Sequence, residues 1–179
     1  PNMKVLKYLG ILLGAILLVV IAIATYLKVA LPDTGDAPEI TVEITPQRVE
    51  RGQYLANTVA VCMDCHSTRN WAKYSGPMET EGLGGGGEVF DEKMGFPGTF
   101  HAPNITPYAL GNWTDGEILR AITTGVSKDG RALFPLMGYH RFGKMDEEDV
   151  FSLIAYIRTL PPVKNTSPWW TTRLKVRAK

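Results

Sequence analysis

Cys62-Met63-Asp64-Cys65-His66 places two thiols three residues apart, with an imidazole directly after the second. On a helix that spacing sets both sulfurs on one face, about one turn apart. Thiols so placed can add across the two vinyl groups on one porphyrin edge, and the adjoining His is then held under the iron as its proximal ligand. CxxCH is the spacing of c-type haem attachment, so one covalent haem c on Cys62, Cys65 and His66 is the expected cofactor. Other uses of the pair fit less well. A thioredoxin-like dithiol wants a βαβ setting and a helix that starts at its first Cys, whereas residues 49–60 already read as helix. A structural zinc needs two further ligands at paired spacing, and His101 and His140 stand isolated. A bare disulfide has no use for His66.

The sixth iron ligand must come from elsewhere. Met137 lies in Leu133-Phe134-Pro135-Leu136-Met137-Gly138-Tyr139, a loop bounded by Pro and Gly. A thioether held there gives a low-spin iron at raised potential. Met is also an ordinary core filler, and Met145, His140 and His101 are the other donors on offer. No acid–base pair or second metal cluster accompanies the motif. The expected role is electron transfer. A haem peroxidase, a reactive dehydrogenase subunit or a haem-based sensor are the competing classes, and each requires an open coordination position.

The elements that must position these groups read as an all-α body of three helices joined by long loops. Thr45-Pro46 is an N-cap followed by Pro at the first helical position, leading through Val49 and Leu55 towards Cys62. Thr114-Asp115-Gly116-Glu117 is a capping box for a helix that stops at Gly125. Asp146 caps the last helix, whose first turn carries Glu147, Glu148 and Asp149 and which ends at Pro161-Pro162. Three short helices make a thin core, and a bound porphyrin would supply the missing apolar surface. The run Gly82-Leu83-Gly84-Gly85-Gly86-Gly87 lacks the Lys-Ser/Thr and the preceding strand of a phosphate loop. It is expected to let backbone approach the haem edge or a partner closely. Asn-x-Ser/Thr sequences at Asn104, Asn112 and Asn165 are taken as chance.

Tyr8 to Leu27 runs for twenty residues without a charge, enough helix to cross a hydrocarbon core of roughly 30 Å. Lys4 and Lys7 precede it, which puts the amino end in the cytoplasm and the body on the periplasmic side. A cleaved signal peptide is the rival, since Ala22-Ile23-Ala24 has the small-x-small pattern. Apolar character continues past that point to Leu31, so a retained single-pass anchor in a bacterial inner membrane is expected. Gly10 and Gly14 would let another helix approach. The chain thus divides into an anchor over 1–31, an extended polar linker over 32–46, a haem domain over 47–163 and a basic tail over 164–179.

The whole 179-residue chain has a formal charge of +1, but residues 32–163 hold eleven bases against all eighteen acids, a net −7. Nucleic-acid binding by bulk charge is therefore excluded, while an acidic body can steer towards a basic docking face. The tail's Trp169-Trp170 and the bases after it suit a membrane interface or a neighbouring subunit.

Several segments in order carry a resemblance: Gly52-Gln53-Tyr54-Leu55, CMDCHSTRN, Ala102-Pro103-Asn104-Ile105-Thr106-Pro107, Gly111-Asn112-Trp113, LFPLMGY, Met145 to Val150, and Leu160-Pro161-Pro162-Val163. Residues 47–163 resemble class I cytochrome c domains, in particular those of the cytochrome subunits of bacterial membrane alcohol, aldehyde and gluconate dehydrogenases. The resemblance implies the cytochrome c fold, a haem pocket lined by Asn104 and Trp113, and Pro77 as the proline whose carbonyl holds the proximal imidazole. Three departures stand out: Gly138 where the family usually has Pro, one such domain where those subunits commonly carry three, and Tyr108-Ala109-Leu110 in place of a more acidic turn. The implied partners are subunits of a respiratory or photosynthetic membrane electron-transfer complex, with a redox donor and acceptor, besides the lipid around residues 8–27.

Overall fold

A computed structural model describes residues 2–165; Trp169, Trp170 and the bases from Arg173 onward lie outside the described residues. Met3–Ala30 form one helix, α1, of 28 residues, none of them buried. By length and composition it can cross a membrane, and its rise of about 40 Å exceeds a hydrocarbon core.

Residues 31–45 are extended, as their Pro and Gly content predicts, yet they are no free tether. Val42 is buried and its amide donates to Asp115 Oδ2 at 2.8 Å. Arg120 reaches the Gly35 carbonyl at 3.2 Å. The linker lies as a strap along the start of the helix containing Asp115.

The body is helix-rich. Pro46–Tyr54 form α2, and the Thr45 side chain caps it by accepting from the Arg48 amide. The helix widens into a π-turn over Leu55–Val59 before the chain breaks at Val61. There the backbone enters the left-handed region at φ 48°, an outlier for a β-branched residue, and so re-aims the chain into Cys62–His66, α3. Asp115–Thr124, the helix α5, carries both halves of its capping box and ends at Gly125 with φ 72°. Glu147–Thr159 form α7, with Asp146 accepting from the Glu148 amide. The three expected helices are present.

The structure adds elements that periodicity did not reveal. Val89–Phe90 (β1) and Phe100–His101 (β2) pair antiparallel, with Val89 opposite His101. Pro107–Leu110 form α4 and Tyr139–Phe142 form α6. Each is too short to show a repeat.

α7 organises the core, burying Ile154 and Val150 against Ile118 and Ile122 of α5, and Leu153 and Tyr156 against Leu55 and Ala56. α2 crosses α7 at Gly52, where an added Cβ would stand 1.9 Å from the Ser152 carbonyl oxygen. Two forked pairs flank that crossing, Arg48–Glu148 at 2.6 Å and Arg51–Asp149 at 2.8 Å. Hydrogen bonding from these guanidiniums holds both carboxyls below their ordinary range. Arg158 donates to Asp115 Oδ1 and to the Leu110 and Trp113 carbonyls, tying α7 to α4 and α5.

Candidate functional site

The C-terminal end of α3 is held by the glycine-rich run. Gly86 donates to the His66 carbonyl at 2.8 Å and Gly84 to Ser67 Oγ at 3.0 Å. The same run pairs on its other edge with residues 102–105, through Gly87 N to Ala102 O and Ile105 N to Gly84 O. The glycines are therefore a spacer between two protein segments, and the close approach expected of them is made to this chain's own backbone. At Gly86, with φ 82°, a Cβ would meet Asn104 N, Ala102 O and Pro103 C at 2.9–3.0 Å, all of them backbone. Replacing Gly86 by Ala is expected to cost about 2–4 kcal/mol, read as a lowered urea midpoint. Gly130→Ala isolates the backbone cost, since Gly130 has φ 78° with open space around it, and should lose about 1–2 kcal/mol.

This packing brings the Pro103 carbonyl to 2.7 Å from His66 Nδ1. A carbonyl can only accept, so Nδ1 carries the proton and Nε2 keeps its lone pair for a metal. Burial lowers the His66 pKa, opposed by that hydrogen bond, and the ring is neutral, as a ligand must be. The proline that holds the imidazole is thus Pro103. Pro77, the residue the resemblance implied, gives its carbonyl instead to the Asn70 amide at 2.9 Å. Chain proximity to His66 favoured Pro77, but the Gly84–Gly87 spacer delivers the more distant proline.

A cavity of about 340 Å³ opens beside His66. Cys65 and His66 line one part, and Leu133, Phe134, Pro135 and Met137 another. Phe100 stacks on Phe134 with ring centroids 3.9 Å apart, and Phe96 meets both rings edge-on. Arg131 adds a cation to an otherwise largely apolar lining. Met137 closes a short 3₁₀ turn, Pro135–Met137, stopped by Gly138 at φ 72°. A proline ring fixes φ near −65°, so the departure from the family residue matches the turn this chain makes.

Among the distal donors left open, Met137 and His101 both line the cavity. His140 is exposed, and Met145 packs against the two core clusters. Cys62 packs against the second of those clusters. Asn104 and Trp113 do not line the cavity. The Asn104 amide is spent on the Val163 and Asn165 carbonyls and its Oδ1 on Thr106, while Trp113 packs on the α5–α7 core. Pro103, Phe100 and Arg131 were the site residues that sequence reasoning missed; the first lay inside the quoted Ala102–Pro107 segment.

The thiols separate the remaining alternatives. Burial pushes Cys62 up to about 12 and also raises Cys65, with Asp64 and Glu88 adding to the latter. A redox dithiol needs the opposite shift, towards thiolate. Among the described residues no group of three or more His, Cys, Asp or Glu side chains comes together to cage a metal, which leaves the zinc reading without ligands. A paired-thiol helix, a neutral oriented imidazole and an apolar cavity with thioether and imidazole donors fit a covalent haem.

These features define a cytochrome c domain, and comparison with known proteins agrees. No protein-family model matches the chain. It is 32% identical over 125 residues to the cytochrome c subunit of a quinone-dependent alcohol dehydrogenase from Gluconacetobacter polyoxogenes, covering 68% of this chain and 24% of the relative. It is 33% identical over 124 residues to the cytochrome subunit of fructose dehydrogenase from Gluconobacter japonicus, covering 67% and 23%. A diheme cytochrome c-type protein of Cereibacter sphaeroides is 30% identical over 154 residues, covering 84% and 48%. The chain spans about a quarter of the length of the first two. It carries a cytochrome c domain of the kind found in these dehydrogenase subunits, and the relatives imply haem c as its cofactor.

Proposed function

We propose that the chain is a membrane-anchored monohaem cytochrome c of class I fold that passes single electrons between redox partners, as a non-catalytic subunit of a respiratory or photosynthetic membrane complex. The observation that carries this reading is the oriented His66, its Nδ1 spent on Pro103, beside a cavity that also presents Met137. A bound haem supplies a one-electron Fe(III)/Fe(II) couple. Cys62 and Cys65 would hold it covalently, His66, oriented by Pro103, would ligate its iron, and Met137, which lines the same cavity, would offer a thioether to it. Phe90, Phe100 and Phe134 give the cavity an apolar lining, and apolar surroundings would favour the less charged state of the centre. An iron held by both His66 and Met137 would keep no position for a substrate.

α1 supports the anchor by its length and its lack of any buried residue. Lys4 and Lys7 support a cytoplasmic amino end and a periplasmic haem domain in a bacterial inner membrane. Because the linker is bound to α5 through Val42 and Gly35, few free residues would separate the anchor from the domain, and anchoring would raise its effective concentration at membrane partners.

The test is expression with a c-type haem-maturation system, followed by membrane extraction, a haem stain after denaturing electrophoresis and a visible spectrum. We expect a membrane-bound, coloured band and a ferric Met-to-iron charge-transfer band, with slow cyanide binding. A colourless chain overturns the cofactor. High-spin bands with fast cyanide binding overturn the carrier role in favour of a haem enzyme or sensor.

A further inference from the structure

We propose that the loop of residues 68–79, which presents Trp71, is the surface on which a redox protein with a basic face docks; this rests on the electron-carrier reading above. The loop is a closed hairpin, with Arg69 bridged to Met78, Asn70 N donating to the Pro77 carbonyl and Glu79 N to the Thr68 carbonyl. It projects two aromatic rings, Trp71 at 67% and Tyr74 at 99% exposure. An exposed Trp is ordinarily mobile, but this one is fixed on three sides. Its Nε1 donates to Glu88 Oε1 at 3.0 Å. The Arg69 guanidinium sits 5.1 Å from the ring centroid. The Gly76 backbone backs the ring so closely that a Cβ there would stand 2.5 Å from its Cε3. A ring already ordered in the free protein loses little entropy on binding, and Trp is the side chain most often found as an interface anchor. Nothing in the core uses this indole.

Both of its polar partners lead back to the attachment motif. Arg69 pairs at 3.4 Å with Asp64, which lies between the two cysteines. Glu88 N donates to the Cys65 carbonyl. Tunnelling through bonded and hydrogen-bonded atoms decays less steeply than through a gap, so this is a favourable place for a partner to sit. One electron would leave the reduced centre and reduce a one-electron centre in the partner; no proton moves and the indole is not itself oxidised.

Charge selects the occupant. At and beside the loop, Asp64, Glu79, Glu81 and Glu88 stand against Arg69 and the exposed Lys73, four acids to two bases; with Arg69 and Asp64 paired to each other, three acids remain against one base. Glu79 and Glu81 are exposed beside the loop. This flank of an acidic body attracts a basic face and repels a second copy of itself.

The experiment uses the full chain in detergent, ferric, with a lysine-rich mitochondrial cytochrome c as the basic protein probe and calorimetry as the readout. Wild type is expected to bind with an affinity that falls as salt rises. Trp71→Ala should weaken binding at least tenfold, and Trp71→Phe less, with the visible spectrum and reduction potential of the chain unchanged in both. Equal binding by Trp71→Ala and wild type overturns the proposal, as does wild-type binding that is absent or insensitive to salt. Self-association of wild type that Trp71→Ala abolishes assigns the loop to a second copy and also overturns it. A chain that, once reduced with dithionite and freed of the excess, fails to pass its electron to ferricyanide sinks the carrier reading instead, and the binding result still stands.

Discussion

Met137→Ala is expected to abolish the Met-to-iron charge-transfer band and to lower the reduction potential by on the order of 100 mV, within the ~0.8 V range that axial ligands span. The thioether is a soft ligand that favours Fe(II), and water or hydroxide in its place favours Fe(III). Ala leaves the Pro135–Met137 turn intact, because that turn is closed by the Gly138 amide on the Pro135 carbonyl and by the φ of 72° at Gly138. His101→Ala is the matched control, because His101 lines the same cavity and is the other donor able to face the metal. It should leave the band in place and move the potential little. The reverse pattern, with His101→Ala converting the spectrum and Met137→Ala silent, would replace Met137 by His101 as the distal ligand. His140→Ala should be silent in either case, since His140 is exposed.

The largest loss of stability is expected at Gly52. An alanine there would put its Cβ 1.9 Å from the Ser152 carbonyl oxygen, 2.6 Å from its carbonyl carbon and 2.8 Å from Tyr156 Cβ. Two of those three atoms belong to the α7 backbone, which cannot rotate away as a side-chain tip could. α2 and α7 must separate, opening the packing of Leu153 and Tyr156 on Leu55 and Ala56. Overpacking of this kind costs about 1–3 kcal/mol where side chains can adjust, and here about 4 kcal/mol or more is expected because backbone must move. That is a large share of the 5–15 kcal/mol typical of a domain. Urea unfolding followed by far-ultraviolet dichroism measures it, with the exposed Gln53→Ala as a control expected to stay within about 0.5 kcal/mol. A Gly52→Ala shift below about 1 kcal/mol would mean that the helices do not cross at this residue.

Some of this was legible from local chemistry. Cys62, Cys65 and His66 fall within five residues and share one short helix, so their grouping is a local property of the chain. Thr45, Thr114 and Asp146 cap the helices expected of them because a cap is made between residues two or three apart. The apolar run of α1 is equally local, since length and the lack of charge are properties of a segment by itself.

What only the tertiary structure decided are the contacts between segments far apart. Pro103 rather than Pro77 meets His66 because Gly84–Gly87, free of side chains, lets residues 102–105 lie against the end of α3. Asn104 turns to the Val163 and Asn165 carbonyls, away from the cavity, because a buried amide must satisfy its hydrogen bonds wherever partners are nearest. Gly52 reads as one small residue on a helix face until α7 is laid across it. A sequence states which groups are present and which neighbours each has along the chain; carbonyl directions, close backbone approaches and the sharing of one cavity arise only when distant segments compete for the same space.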